Sequence, residues 1–336
     1  MGIDLPLIWA VIILFGVMMY VVMDGFDLGI GILFPFFDSK DERDVMMNTV
    51  APVWDGNETW LVLGGAGLFV AFPMAYAVVL SAFYLPLILM LVGLIFRGVA
   101  FEFRFKAQEG PRRVWDKAFA GGSYMATFFQ GVTLGAFLQG VPVRNGDYAG
   151  TAFAWLAPFP LFVGLGLVAT YALLGGTWLV MKTDGDLQQR MRLVSRKLAW
   201  VLLAFIAVIS AWTPLSLPGV AERWFTLPNL FWFAPVPLLV LVVTYALLRT
   251  LRKPAVHATP FLLALALLFL GYSGLGISLW PNVIPPAVSI WDAAGPPQSL
   301  GFALVGALLI IPMILGYTAF SYWVFRGKVR AGAGYH

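Results

Sequence analysis

Two pairs of acidic residues stand inside apolar stretches of this 336-residue chain. The run VVMDGFDLGIGI contains Asp24 and Asp27, and the run VWDGNETW contains Asp55 and Glu58 at the same spacing. Residues at i and i+3 share one face of a helix, so each pair presents two carboxyl groups together. Because an acid at the centre of a spanning helix costs at least about 2.5 kcal/mol, such acids indicate a function, for example proton transfer.

The composition indicates an integral membrane protein. Hydrophobic residues make up 60% of the chain and charged residues 11%, and the mean hydropathy is +0.86, whereas soluble domains carry about 25% charged residues. The apolar runs are long enough for spanning helices. The absence of cysteine excludes disulfides, thiolate-ligated haem and iron–sulfur clusters. The chain has two histidines, His257 and the terminal His336, so no pair of histidines is available inside the membrane to ligate haem.

We predict a single all-α membrane domain, residues 1–336, with about nine transmembrane helices. We expect two four-helix bundles and one peripheral helix. The predicted spans are 6–36, 51–72, 77–100, 117–139, 153–181, 197–216, 228–249, 259–280 and 298–325.

The basic residues test this assignment. Of the 21 Lys and Arg residues, Arg144 and Arg223 lie on one side of the membrane, and the other 19 lie at the helix ends and connections of the opposite side. Basic residues accumulate on the cytoplasmic side. The N-terminus is therefore predicted to be outside (periplasmic) and the C-terminus cytoplasmic.

This topology puts both acid pairs in the cytoplasmic half of the membrane. The third span brings Arg97 to the same region, with Glu102 beyond it, and we predict that both are charge partners that converge with the acids in one cluster. One interpretation is a proton path from the cytoplasm, since carboxyl groups placed close together disfavour simultaneous ionisation. The alternative is structural. Asp24 and Asp27 would pair with Arg97 to fix helix packing, and the second pair would be favoured by the dipole at a helix N-terminus.

Trp54 and Trp60 flank the second acid pair. They fit either anchors at the membrane interface or walls of a site, and we favour anchors. Two GxxxG motifs, at 25–29 and 131–135, and the run GLGLVA at 164–169 predict surfaces for close helix packing. Ser39 and Glu42 have capping-box spacing, which predicts a short helix before the second span.

Three runs of the sequence resemble subunit II of the cytochrome bd-type quinol oxidases. They are DGFDLG at 24–29, APVWDGNETW at 51–60 and FRGVAFEFR at 96–104. The nine predicted spans and the run WPNVIPPAVSIWDA at 280–293 are similar to that family as well. The resemblance extends over the whole chain.

The resemblance implies a haem-free subunit of a complex of the bacterial inner membrane that oxidises quinol and reduces oxygen to water. Subunit I of such a complex carries haem b and haem d and the quinol-oxidising loop, and subunit II helps to admit protons from the cytoplasm. Asp55 matches the acid of the family's WDGN motif, which is associated with the proton path. Asp24 and Asp27 match acids of its first helix, and the resemblance gives Asp55 more weight than Glu58.

The expected cofactors and partners follow from the same resemblance. We expect no catalytic residue, haem or metal in this chain. Some family members hold a structural ubiquinone in subunit II, to which the sequence assigns no residues here. The expected partners are subunit I in a heterodimer, quinol, oxygen and lipid, with a small single-helix subunit left open and no nucleic acid.

Two further hypotheses compete with an oxidase subunit. A proton- or cation-coupled secondary transporter would also use intramembrane acids, but it often shows inverted repeats and broken helices near the midplane. The sequence has no clear repeat, and its acids are predicted toward one face. In the third hypothesis the chain is a scaffold whose acids only pair with Arg97.

Overall fold

The computed structural model describes residues 3–253, 257–330 and 332, and most of these residues are helical. The helices are α1 Leu5–Leu33, α2 Lys40–Asn48, α3 Trp54–Ala71, α4 Pro73–Lys106, α5 Glu109–Gln139, α6 Pro158–Lys182, α7 Gly185–Ser216, α8 Pro218–Phe225, α9 Asn229–Phe233, α10 Pro235–Thr250, α11 Thr259–Leu279 and α12 Pro297–Val324. Two short antiparallel hairpins join helices: β1 Val143–Arg144 with β2 Asp147–Tyr148, and β3 Asn282–Ile284 with β4 Val288–Ser289. His336 lies outside the described residues.

The helix boundaries follow local chemistry. The Asp4 carboxylate caps α1 by accepting a hydrogen bond from the Leu7 amide at 3.1 Å. Proline stands in the first turn of α4, α6, α10, α11 and α12, where its missing N–H costs nothing. The helix predicted from Ser39 and Glu42 is α2, although the Ser39 side chain makes no capping hydrogen bond.

Seven helical segments of the described chain are long and apolar enough to cross a membrane. They are Leu5–Phe36, Pro73–Lys106, Pro158–Lys182, Gly185–Ser216, Asn229–Thr250, Thr259–Leu279 and Pro297–Val324. The chain is therefore a multi-pass all-α membrane protein. The predicted spans 51–72 and 117–139 coincide with α3 and α5, which are helical but more polar. Asp55, Asn57 and Glu58 lower the apolarity of α3, and the first turns of α5 carry charged residues.

The long helices pack in two groups of four. In the first group α1 contacts α3 and α5, and α4 contacts α3 and α5. In the second group α6 and α10 each contact α7 and α11. The groups meet where α6 packs against α1 and α5, and α12 lies on the outside against α1 and α3. The C-terminal half of α1 is thereby enclosed by protein, and every residue from 23 to 33 is buried.

Glycines allow the close approach of helices at these crossings, as the sequence predicts. A Cβ atom at Gly29 would lie 1.8 Å from the Tyr171 carbonyl oxygen and 2.8 Å from the Gly175 nitrogen, so α1 and α6 touch backbone to backbone. A Cβ at Gly131 would lie 2.8 Å from the Cα atom of Gly164, which confirms the predicted packing surfaces on α5 and α6.

The connections gather at two ends of the molecule. At one end, Glu42 before α3 pairs with Arg190 of α7, and Lys328 after α12 pairs with Asp184 between α6 and α7. At the other end, the loops that carry the two hairpins meet, with the Val141 amide donating to the Pro285 carbonyl at 2.9 Å. The start of α1 also lies at that second end, where Nε1 of Trp291 donates to the Asp4 carboxylate at 3.1 Å.

Candidate functional site: a buried cluster of acids around Arg97

Helix α1 carries two carboxyl groups into the enclosed centre of the first helix group. Asp24 and Asp27 are both 0% exposed. Their spacing puts them on one face of the helix, and that face points toward α3, α4 and the end of α12. Acids in a spanning segment are expected to face protein rather than lipid, and both do.

Arg97 of α4 is the cation of this cluster. Its side chain is fully buried, and its Nη2 pairs both with Asp24 and with Oε1 of Glu58, the latter at 2.7 Å. The guanidinium lies over the ring of Trp54 at 5.4 Å from its centroid, and the Trp54 ring stacks on Phe101 at 5.0 Å. One arginine therefore ties α4 to α1 and α3 through two carboxylates and an aromatic face.

Asp27 has a different partner. Nδ2 of Asn57 donates to Oδ2 of Asp27 at 2.8 Å and to the Met23 carbonyl at 3.3 Å. The hydroxyl of Tyr322 in α12 donates in turn to Oδ1 of Asn57 at 2.9 Å. Three helices thus supply one chain of hydrogen bonds that ends on the Asp27 carboxyl group.

The cluster reaches the protein surface through α3. The Glu58 side chain is 27% exposed on one side while it pairs with buried Arg97 on the other. Asp55, one turn earlier, is exposed. Glu58 interacts electrostatically with both Asp24 and Asp55. The acids therefore form a graded series from exposed Asp55 through partly exposed Glu58 to buried Asp24.

The structure corrects the prediction that Glu102 joins the cluster. Its side chain is 63% exposed and pairs with Lys106 at 3.4 Å on the same helix. Five residues after Arg97 correspond to about 500° of helical rotation, which turns Glu102 to a different side of α4.

The anchor interpretation of the two tryptophans does not fit their surroundings either. Trp60 is 1% exposed, packs edge-on against Phe15 at 5.8 Å and belongs to a buried group with Tyr20 and Met23. Trp54 is half-buried on Arg97. Trp54 is therefore a wall of the cluster, which is the alternative that the sequence left open, and Trp60 is a core residue.

Sequence reasoning missed a second buried arginine. Arg104 is 1% exposed and pairs with Asp44 of α2 and Asp116 of α5, each at 2.5 Å. Arg43 of the segment before α3 also pairs with Asp116 at 3.0 Å. Arg97 and Arg104 are seven residues apart and so share a face of α4. This seven-residue spacing within FRGVAFEFR is the sequence signal that could identify Arg104 as a partner of buried acids. Its contribution to the count of basic residues on one side of the membrane does not identify it.

Asn57 and Tyr322 were also missed. In the sequence Asn57 stands out only as part of the glycosylation motif at 57–59, which the predicted topology puts on the cytoplasmic side. Tyr322 is one of several aromatic residues near the C-terminus, and its distance of 265 residues from Asn57 gives no local signal.

The arrangement can hold and pass protons. The carboxyl groups of Asp24 and Glu58 pair with one buried cation, and that of Asp27 is hydrogen-bonded to Asn57, so the net charge of the cluster depends on how many protons it holds. Carboxyl groups placed close together in this way can act as acid–base groups. Within the described residues, no group of three or more His, Cys, Asp or Glu side chains could hold a metal ion.

Fold and site together define a multi-pass helical membrane protein with a buried cluster of acids around one arginine near one end of a helix bundle. Within that class, the chain belongs to the cytochrome bd terminal oxidase subunit II family, whose family model matches residues 5–325. This confirms the resemblance read from the sequence motifs, and it makes the chain a subunit of a respiratory oxidoreductase complex.

Individual relatives agree over nearly the whole chain. The cytochrome bd-I ubiquinol oxidase subunit 2 of Escherichia coli strain K12 is 33% identical over 92% of this chain and 91% of its own length. The cytochrome bd ubiquinol oxidase subunit 2 of Bacillus subtilis strain 168 is 30% identical over 96% of both chains. A chain from the structure of bd oxidase from Geobacillus thermodenitrificans has the same fold, with a TM-score of 0.71 at 18% identity over 96% of this chain and 99% of its own.

Proposed function

We propose that this chain is the haem-free subunit II of a quinol:oxygen oxidoreductase and that it contributes to proton uptake from the cytoplasm. It forms a heterodimer with a haem-bearing subunit I in the bacterial inner membrane. Family membership and relatives named as ubiquinol oxidase subunits support this assignment. Haem b and haem d in subunit I supply the redox chemistry, and this chain supplies protons and stabilises its partner.

Nine spans, with the N-terminus periplasmic and the C-terminus cytoplasmic, complete the proposal. The meeting of alternate connections at opposite ends of the molecule supports it, because α3 and α5 must then cross between those ends. The end that holds Arg190, Lys328 and the Arg104 network carries most basic residues, which favours the cytoplasmic side.

The graded exposure of the acids is the observation that carries the proton role. Asp55 lies at the cytoplasmic mouth and takes protons from water. Glu58 passes them to the buried groups, where Arg97 balances the charge of Asp24 or Glu58. Asp27, held by Asn57, completes the series toward the partner subunit. The partner completes the route with its own groups.

The test is quinol-driven oxygen uptake by the assembled complex with Asp55→Asn. We expect turnover to fall on the order of tenfold, because an acid–base group at the mouth is lost, while the haem content stays near normal. Glu58→Gln should act in the same way, and Glu102→Gln, on the same side but outside the cluster, is the matched control.

Three outcomes separate the hypotheses. Unchanged turnover across the pH range in both Asp55→Asn and Glu58→Gln would remove this acid series from the mechanism. Loss of haem together with activity would instead favour the scaffold hypothesis. Equal losses in Glu102→Gln would show that surface charge, rather than the cluster, controls turnover.

A further inference from the structure

The hydrogen-bonding capacity of Asn57 is fully used in one orientation. Its amide oxygen accepts from Tyr322, and its amide hydrogens go to Asp27 and to the Met23 carbonyl. A flipped amide would place its oxygen against the Asp27 carboxylate and the Met23 carbonyl, both acceptors. The two acceptors therefore set the orientation in which Asn57 donates to Asp27. The Tyr322 hydroxyl completes it by donating to the amide oxygen, which polarises the amide and strengthens the hydrogen bond to Asp27.

Tyr322 comes from a helix that is otherwise on the outside. In the described residues of α12, Leu300 alone is buried, and side chains such as Phe302 and Met313 are 85% and 73% exposed. Tyr322 is nevertheless half-buried and meets the Trp178 ring edge-on at 6.2 Å. The helix thus places one polar group against the acid cluster.

Hydrogen bonds to α6 hold the end of α12 in the position that lets Tyr322 reach Asn57. Nζ of Lys182, at the end of α6, donates to the carbonyls of Phe325 and Gly327 at 2.5 and 2.9 Å. The Val329 amide donates back to the Lys182 carbonyl at 2.8 Å. Lys182 also lies over the Trp178 ring at 5.3 Å. Two residues of α6 that touch each other, Trp178 and Lys182, therefore contact Tyr322 and hold the segment after α12, respectively.

We propose that Tyr322 is a positioning residue of the proton path: through Asn57 it strengthens the hydrogen bond that Asp27 receives and so couples proton exchange at Asp27 to the seating of α12. The inference rests on the proposed function and extends it to a helix that no motif assigns to the path. The ionisable groups that face Asp27 are Asp24 on α1, Glu58 on α3, Arg97 on α4 and Tyr322 on α12, with Tyr171 of α6 beside Asp24.

The experiment compares Tyr322→Phe with Tyr317→Phe in the assembled complex. Tyr317 is on the same helix, is 68% exposed and touches no member of the cluster in the described structure. Two readouts are taken: the pH profile of quinol-driven oxygen uptake, and the infrared absorption of the Asp27 carboxyl group, identified by its loss in Asp27→Asn.

We expect Tyr322→Phe to shift the Asp27 infrared band and to lower turnover about two- to tenfold, the effect of one hydrogen bond. The pH profile should move to higher pH, because the ionised form of Asp27 receives a weaker hydrogen bond from Asn57. Haem content should stay normal, and Tyr317→Phe should leave both readouts unchanged.

A Tyr322→Phe complex with the wild-type pH profile would overturn the inference, whether or not the infrared band moves. Equal effects in Tyr317→Phe would overturn it too, since the phenotype would then belong to α12 as a whole. Asp27→Asn separates this failure from that of the proposed function. If Asp27→Asn slows oxygen uptake and Tyr322→Phe does not, only the role of Tyr322 is contradicted. If neither variant slows oxygen uptake, Asp27 is not part of the proton path.

Discussion

Arg97 is the side chain on which the buried cluster depends. It is the partner of both Asp24 and Glu58, and it lies against the stacked pair of Trp54 and Phe101. A buried charge that loses its partner is far more costly than the intact pair is favourable. The same residue therefore holds three helices together and keeps two carboxylates ionisable inside the protein.

Replacement of Arg97 should be strongly destabilising. We expect Arg97→Met to lower the stability of the complex by about 3–5 kcal/mol, because Asp24 and Glu58 are left without a cation. Thermal unfolding of the purified complex measures this. Arg113→Met, at an exposed position of α5, should change stability little. Asp24→Asn should lower the stability less than Arg97→Met, because Arg97 still pairs with Glu58. An equal or larger loss of stability in Asp24→Asn would contradict this account.

The sequence indicates the acids of the cluster but not all of their partners. Asp24, Asp27, Glu58 and Arg97 stand out because charges are rare in apolar runs, and the structure brings them together. The prediction for Glu102 is wrong because five residues along a helix put Glu102 near Arg97 in the sequence but on a different side of α4. Tertiary partners such as Tyr322 leave no local signal, since tyrosine is ordinary at a membrane interface.

At the scale of elements, the crossing of α1 and α6 fixes the position of the acids. Gly25 directly follows Asp24, Gly29 lies one turn beyond Gly25, and a Cβ atom at Gly29 would overlap the backbone of α6. The two helix groups can therefore approach closely only with glycine at this point, and the buried half of α1 depends on that approach.

Gly29→Ala tests this crossing. The added methyl group forces the helices apart, and overpacking of this kind costs about 1–3 kcal/mol or more, so we expect less assembled complex and a lower unfolding temperature. Gly65→Ala on α3, where an added Cβ meets nothing within 4 Å, is the matched control. Wild-type stability in Gly29→Ala would show that the backbone contact is looser than described.

Lys182 is the second element-scale constraint, because it joins the end of α6 to the segment after α12. We expect Lys182→Met to loosen that segment, since the carbonyls of Phe325 and Gly327 lose their donor. Limited trypsin digestion should then cleave after Arg326 at least about threefold faster, an effect of one or two hydrogen bonds. Lys197→Met, at an exposed position of α7, is the control, and equal cleavage rates in both variants would contradict the anchoring role.

The sequence predicts where the helices lie better than it predicts what each helix contributes to the packing. Every predicted span coincides with a described helix, because apolar runs of this length form helices in a membrane. The short helix α8 was not predicted, and the span predicted at 228–249 is divided into α9 and α10, since prolines at 218, 228 and 235 interrupt this region. The polar character of α3 comes from the acids and the asparagine at its start, and that of α5 from the largely exposed charges of its first turns.

At the scale of the whole molecule, the direction of insertion decides where protons come from. The chain contains no cysteine, so a single introduced cysteine reports one position. Asp147, in the hairpin β1–β2, and Asp186, at the start of α7, are both exposed and lie at opposite ends of the proposed topology.

We expect a membrane-impermeant thiol reagent to label Asp147→Cys in intact spheroplasts and Asp186→Cys only after permeabilisation. This follows from the excess of basic residues on the side of Asp186. The reverse pattern would put the acid cluster near the periplasm and exclude proton uptake from the cytoplasm through it. Labelling of both positions in intact cells would show that α6 does not cross the membrane.

The most direct test of the central claim is a reduced-minus-oxidised visible spectrum of this chain after gentle purification from its native membrane. The account predicts haem b and haem d absorption together with a co-purifying subunit I, and loss of that absorption from this chain when the two subunits are separated. An intact chain that purifies alone and without colour would contradict the claim that it acts as an oxidase subunit.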